Sequence, residues 1–336
     1  GLVLTFNSKD YASSLGATSK FPKDTIAFKW QDEVKDTTLI EVFWSASRTG
    51  LINPVAIFEP VDLEGTSVAR ASLHNISIIE KLELGVGDTV NVYKANMIIP
   101  QIAENLTRSG TLEIPSFCPV CGQGTKVKEA NDVKALYCIN EECAAKKVKS
   151  FAHFVSRNAM NIEGLSEATL EKLIQLGLLH EFSDLFTLDS EEKKEVIVEL
   201  EGFGEKSYAN LLTSVAAAKV HKMPNFIFAL GISQVGLSNA KLLCKAYQNN
   251  FEQILEASVE ELAAIEGYGD VIAKSLYEYF HSDKNLEALA RLLKLVSFEI
   301  AEQVQSVAAI DGKTFVITGS LVEYENRNAL KEVIEN

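Results

Sequence analysis

Apolar and polar positions alternate with a period of two between residues 30 and 108. The runs "TTLIEVFWSA", "NPVAIFEPVDL", "TSVARASLH" and "DTVNVYKANMIIPQIAE" are broken by Gly, Pro, Asn and Asp. Alternation of this kind puts every second side chain on one face of a strand, so the segment predicts a small antiparallel barrel or sandwich. From about residue 146 to 300 the period becomes helical. "EATLEKLIQLGLL", "SYANLLTSVAAAK", "SNAKLLCKAY" and "DVIAKSLYEYF" each carry an apolar stripe at i, i+3, i+4 and i+7, which predicts an all-helical domain. "GLVLTFNSKD" at the start reads as a strand and a turn. "DGKTFVITGSLVEYENRNALKEVIEN" at the end reads as one strand, a glycine turn and one helix, too little to close a core. A first strand of buried character and a last unit short of partners are expected of a chain cut from something longer.

The helical region repeats. "NIEGLSEATL", "LEGFGEKSYA", "GISQVGLSNA" and "IEGYGDVIAK" each set a tight turn before a helix, centred near Ser166, Gly204, Gly236 and Gly269, at spacings of 38, 32 and 33 residues. A glycine turn opening onto a helix N-terminus aims backbone N–H groups outward, where they bind a phosphate oxygen without a side-chain cation. Gly202, Gly204, Gly236, Gly267 and Gly269 are therefore candidate nucleic-acid contacts. The copy with Ser166 in the place of the second glycine is the poorest and reads as a packing element.

Four of the five cysteines fall between residues 118 and 143. Cys118 and Cys121 form C-x2-C, Cys138 and Cys143 form C-x4-C, and sixteen residues separate the pairs. Two thiolate pairs on knuckles fit a closed tetrahedral metal site. Four protein ligands leave no position for a water, so the metal is expected to be one structural zinc. Iron, a redox pair or reduced free thiols are the alternatives. The fifth, Cys244, sits in a helical pattern and reads as core.

Composition narrows the class. The chain has 336 residues, enough for several domains, with 47% hydrophobic and 23% charged residues. No apolar run is long enough to span a bilayer, and no signal peptide opens the sequence, so a cytoplasmic protein without a membrane partner is expected. The net charge of −14 argues against gripping nucleic acid by bulk charge. Local devices must do it. In the strand-rich region Lys20, Lys29, Arg48 and Arg70 are candidate phosphate contacts, and His74 with Asn75 in "ASLHN" is a candidate polar pair at a nucleic acid backbone. No H-E-x-x-H, G-x-x-x-x-G-K-[ST] or G-x-S-x-G motif occurs, and no residue is an evident magnesium ligand.

Taken in order, "GLVLTFN", "SKFPKDTIAFKW", "SRTG", "VARASLHN", "GDTVNVYKANMIIP", the four cysteines, "HFVSRNAMNIEGLS", "ALGISQVG" and "GKTFVITGSL" resemble the NAD-dependent DNA ligases of bacteria over the whole chain. The resemblance implies a multidomain α+β protein. Residues 1–29 would end a nucleotidyltransferase (adenylation) domain, 30–112 form an OB-fold, 113–145 a zinc finger, 146–305 a helix-hairpin-helix domain, and 306–336 a partial BRCT domain. It implies nick sealing in replication and repair: a lysine takes AMP from NAD, AMP passes to a 5′-phosphate, and the 3′-hydroxyl displaces it. NAD and magnesium would serve the full enzyme, and nicked double-stranded DNA would be the partner of a monomer.

That lysine sits in a K-x-D-G motif. This chain has none, its one D-G being Asp311–Gly312, so the resemblance assigns no catalytic residue here and leaves self-adenylylation to a longer protein. Lys29 in "AFKW" matches a lysine that contacts the AMP phosphate. Thr5 stands where the family has another lysine, and Asn96–Met97 replace Gly–Asp in "KAGDVIP". Arg48, Thr49 and Gly50 match an R-T-G implied to touch the DNA backbone near the nick. Two rivals stand beside this reading: a ligase-like paralogue that only clamps DNA, and a repair nuclease or recombination mediator with zinc and hairpins.

Overall fold

The computed structural model describes residues 2–18, 21–28, 32–299, 315–319, 321, 323–324 and 326–335. They belong to two compact units, residues 1–211 and 212–336. The division falls inside one helix, Glu205–Ala218, within the region that sequence periodicity reads as a single helical domain.

In the first unit, β1 (Leu2–Thr5) and β2 (Thr25–Phe28) pair antiparallel across α1 (Lys9–Leu15), with Thr5 opposite Thr25. Next comes the barrel. Strand β3 (Lys35–Ala46) changes partner along its length, the first four residues pairing with β6 (Thr89–Ala95) and the rest with β4 (Leu51–Leu63). An irregularity between Leu39 and Glu41 lets it bend from one to the other. β5 (Thr66–Ser72) pairs with β4 and β7 (Ile99–Asn105) with β6. β5 also comes alongside β7, so the sheet curls on itself as the OB-fold expectation requires. Helix α2 (Ile76–Leu82) bridges β5 and β6.

Alternation decides which side chains fill the barrel. In β4, Ile52, Pro54, Ala56 and Phe58 are buried while Leu51, Asn53, Val55 and Ile57 are half-buried on the other face. Phe58 packs with Leu39, Leu63, Leu73, Val90 and Val92, each such side chain contributing about 1.5–3 kcal/mol on burial. The same rule puts Lys94 inside, in line with Val90 and Val92. Its ammonium is accommodated because it donates to the Leu63 carbonyl oxygen at 2.7 Å and to Thr66 Oγ1 at the β4–β5 turn.

The cysteine segment is not a separate lobe. β9 (Val133–Cys138) pairs with β4 through Leu51–Tyr137 and Ile52–Leu136, and β8 (Thr125–Ala130) pairs with β9. One sheet runs β7-β6-β3-β4-β9-β8 with β5 added on β4. Cys118, Cys138 and Cys143 share a core with Ala46, Ile52, Ile76 and Leu136. Helix α3 (Ala144–Val155) follows and buries Phe151 and Phe154, the latter stacked on Phe182 at 4.2 Å. Helices α4 (Glu167–Gln175), α5 (Glu191–Val198) and α6 (Glu205–Ala218) carry the first two turn-helix repeats.

In the second unit, β10 (Val220–His221) and β11 (Ser297–Phe298) form a short parallel pair. Between them lie α7 (Met223–Ala229), α8 (Leu237–Ala246), α9 (Phe251–Glu256), α10 (Val259–Ala263), α11 (Asp270–Phe280) and α12 (Asp283–Leu292). Phe226, Phe251, Phe280 and Phe298 pack edge to face or tilted in its core. Cys244 is buried there, as its helical pattern predicts. At the end of the chain α13 (Arg327–Glu335) is helical, as read. Of the strand expected of "GKTFVITG", residues 312–314 lie outside the described residues, and residues 315–318 join no sheet among the described residues. No helix among the described residues is long and apolar enough to cross a membrane.

Candidate metal centre and nucleic-acid interface

The four sulfurs of Cys118, Cys121, Cys138 and Cys143 lie within 4.8 Å of one another. Cys118 to Cys143 is 4.0 Å and Cys121 to Cys138 is 3.6 Å, and none is in a disulfide. A tetrahedron of metal–sulfur bonds of about 2.3 Å has edges of roughly 3.8 Å, so the spacing fits a closed four-thiolate site. Local structure sets it up: the Gly122 N–H donates to the Cys118 carbonyl at 2.9 Å, Cys138 ends β9, and Cys143 caps α3.

The thiols are unequal. Burial alone would raise Cys121, but the Gln123 amide, Asn140 and the neighbouring sulfurs outweigh it and lower the thiol to about 6. Burial, reinforced by the neighbouring sulfurs, pushes Cys138 up to about 12 and raises Cys143. Close thiols resist losing several protons together, and a bound dication relieves that repulsion. The donor set therefore fits a metal ion.

The four turn-helix repeats share one geometry. Gly164, Gly202, Gln234 and Gly267 occupy the same place in each turn, with φ of +88°, +85°, +62° and +88°. In three of the turns the next residue closes it: Phe203 N–H to the Leu200 carbonyl, Val235 to Ile232 and Tyr268 to Ile265, at 2.8 to 3.2 Å. The third residue of such a turn takes positive φ, which favours glycine; Gln234 adopts it without being one. Two residues later Ser166, Gly236 and Gly269 cap α4, α8 and α11, while Gly204 precedes α6.

Caps separate the copies. Ser166 Oγ accepts the Thr169 N–H at 3.1 Å, satisfying one first-turn donor internally. Gly236 and Gly269 supply no side-chain acceptor to the first turns of α8 and α11, although in α11 the Ile272 N–H turns back to the Gly269 carbonyl at 3.0 Å. Gly202, Gly236, Gly267 and Gly269 are exposed and Gly204 is half-buried. A Cβ on Gly202, Gly204, Gly236 or Gly269 would meet nothing within 4 Å, so packing does not demand glycine there, whereas an incoming backbone would benefit from its absence. In the first unit Glu163, Gly164, Ser166, Glu201, Gly202 and Ser207 line an open cleft between the first two turns, and Lys172 lies 3.4 Å from Glu201. Acidic residues open α4, α6 and α11 but not α8, which leaves the Gly236 turn the least repulsive to an anion.

The remaining candidates are dispersed. Arg48, Thr49 and Gly50 form the β3–β4 turn, with Arg48 half-buried and Thr49 exposed. The Gly50 carbonyl accepts the Cys138 N–H at 2.9 Å, so this turn leans on the cysteine module. Arg70, on β5, places its guanidinium 5.9 Å from the centre of the exposed Phe43 ring. His74 is exposed at φ +59°, with its N–H donating to Ser72 Oγ at 3.2 Å. Asn75 Oδ1 accepts the Ile78 N–H at 3.1 Å, a helix cap that sequence reading passed over. Thr5 is exposed on the β1–β2 hairpin. Lys20 and Lys29 lie outside the described residues. Met97 is exposed at the β6–β7 tip, where Asn96 and Met97 both adopt positive φ.

Sequence reading also missed Lys146, whose Nζ donates to the Cys138 carbonyl at 3.1 Å. Its one signal was the basic run "AAKKVKS".

Residues 36–113 match the family model of the NAD-dependent DNA ligase OB-fold domain, and residues 225–289 match the helix-hairpin-helix motif. The chain is 59% identical over 335 residues to a DNA ligase of Lachnoclostridium phytofermentans, 55% to one of Ruminiclostridium cellulolyticum and 36% to one of Acetivibrio thermocellus. Each alignment covers all of this chain and 51% of the relative. The chain thus spans about half the length of the curated relatives it matches.

Proposed function

We propose that this chain, which carries the OB-fold domain of the NAD-dependent DNA ligases and helix-hairpin-helix motifs, is the part of such an enzyme that holds nicked duplex DNA for sealing in replication and repair. The carrying observation is the ligase OB-fold domain followed, in one chain, by a four-cysteine centre and by turns whose helix caps leave first-turn amides without a side-chain acceptor. Phosphate contacts of this kind position a duplex without reading its sequence, and they suit a protein of net charge −14.

Each part has its role. Cys118, Cys121, Cys138 and Cys143 hold one zinc, which supplies a closed structural cross-link. Arg48, Thr49 and Gly50 meet the DNA backbone near the nick, with Arg70, His74 and Lys20 as further contacts on the barrel side. Gly202, Gly204, Gly236, Gly267 and Gly269 present the hairpin amides. Lys29 meets the AMP phosphate, while Thr5 brings no charge to the lysine position it occupies. NAD is the substrate that donates AMP and magnesium the ion that bridges phosphates in the whole enzyme. With no K-x-D-G in residues 1–336, this chain alone takes no AMP from NAD. It works as a monomer in the cytosol, and its segments keep the boundaries 1–29, 30–112, 113–145, 146–305 and 306–336.

Anisotropy titration with a labelled duplex tests the reading. The chain binds nicked duplex more tightly than single strands; equal affinity for both would refute it. Thr5 favours a second reading, a clamp without chemistry. Replacing Thr5→Lys in a protein that carries the K-x-D-G lysine should speed AMP transfer, and unchanged turnover would remove that concern.

A further inference from the structure

We infer that Lys146 is a positioning residue that ties the Arg48–Thr49–Gly50 turn to the four-cysteine module, so that the integrity of the metal centre sets the geometry of that turn. The DNA half of this inference rests on the reading that the turn meets the DNA backbone; the mechanical half does not.

Gly50 has φ +83° and is buried, and a Cβ built on it would fall 2.4 Å from Cε and 2.9 Å from Nζ of Lys146, and 3.2 Å from the Cys138 carbonyl oxygen. The lysine stem occupies the space a side chain at position 50 would fill. Cys138 is gripped at both of its peptide groups: its N–H donates to the Gly50 carbonyl at 2.9 Å, and its carbonyl accepts Lys146 Nζ at 3.1 Å. Lys146 leaves α3 one turn after the cap residue Cys143. It therefore spans from the helix that begins at one sulfur ligand to the strand that ends at another, crossing the glycine of the turn on the way. Loss of the metal frees both anchors at once. The shared core of Ala46, Ile52, Cys138 and Cys143 carries the same coupling through packing. Lys147 is rotated about 100° around the helix and serves as the control.

The test compares wild type, Lys146→Met, Lys147→Met, Arg48→Ala and the double variant Lys146→Met/Arg48→Ala, each with its zinc content, amide exchange at Gly50 and Cys138, and affinity for a nicked duplex. Lys146→Met is expected to keep one zinc, to speed exchange at the Cys138 amide about tenfold, and to weaken binding about tenfold, the effect of one charge-assisted hydrogen bond. In the Arg48→Ala background it should change affinity less than about twofold, because it acts through that turn. Lys146→Arg, which keeps a charged donor, should restore the protection. Unchanged exchange in Lys146→Met, additive losses in the cycle, an equal loss from Lys147→Met, or no rescue by arginine would each overturn the inference. Should Arg48→Ala alone leave binding intact, the turn is no DNA contact and that reading fails, while amide exchange still decides whether Lys146 holds it.

Discussion

Stripping the metal centre with a chelator should expose four thiols per chain, and the fifth should stay silent. The sulfurs of Cys118, Cys121, Cys138 and Cys143 converge within 4.8 Å, whereas Cys244 is 2% exposed in the other unit with its thiol pushed up to about 12 by burial. With zinc bound no thiol reacts. Without it the four clustered thiols are released from the metal and become open to reagent. An aromatic disulfide reagent should accordingly titrate four thiols per chain, matched by one zinc in an indicator dye. Binding of a structural zinc is of order 10–16 kcal/mol, comparable with the stability of a whole domain, so residues 113–145 should also lose their fold. The sign with pH follows. The folded Cys121 value lies below the ordinary thiol value of 9.0, so its contribution to the folded segment is complete above 9.0 and is lost as pH falls through about 6. Thiols that react in the loaded protein, or a zinc content other than one, would refute the reasoning.

Other consequences reach the barrel and the hairpins. Asp88→Asn should destabilise the barrel by about 2–4 kcal/mol in thermal unfolding, since buried Asp88 accepts from the Gly85 N–H and Asn105 Nδ2, both at 2.7 Å. Burial raises its carboxyl, but the hydrogen bonds from Ser109, Asn105 and Gly85 win and hold it below 3.8; the stabilisation is complete above 3.8 and should fade as pH falls through the lower folded value. Gly267→Ala, at φ +88° with Leu242 Cδ1 at 3.4 Å from the new Cβ, should cost about 1 kcal/mol, while Gly269→Ala should stay within about 0.5 kcal/mol. The affinity for nicked duplex should fall with salt at a log–log slope shallower than about −4, and a slope near −10 would show that side-chain cations dominate instead.

How far the sequence could be read depended on whether a feature is local. The cysteine spacing and the glycine turns act over a few residues, and the helical stripes that bury Leu170, Leu211, Leu243 and Leu276 follow from period alone. Pairing between distant strands leaves no such mark. Nothing in "DVKALYC" announces that β9 will pair with β4, so the barrel and the cysteine module read as neighbours when they share one sheet and one core. Single side chains misled for a similar reason. Asn75 reads as a polar contact, yet its side chain caps α2, and nothing local in the sequence marks Lys94 as the charge that β6 places inside. Gln234 holds a positive φ that the glycine pattern reserves for glycine, so the third turn was recognisable only from its neighbours.

The hairpin amides carry the functional account, and the Gly236 turn tests them most directly. Gly236→Asp puts a carboxylate at the cap of α8, where it satisfies a first-turn N–H, improves the cap and repels phosphate. Ser190→Asp makes the same charge change at the exposed cap of α5, outside the four turns. We predict that Gly236→Asp keeps or slightly raises thermal stability and weakens nicked-duplex binding at least about tenfold at low salt, while Ser190→Asp changes it less than about twofold. Equal affinities for the two variants would contradict the account.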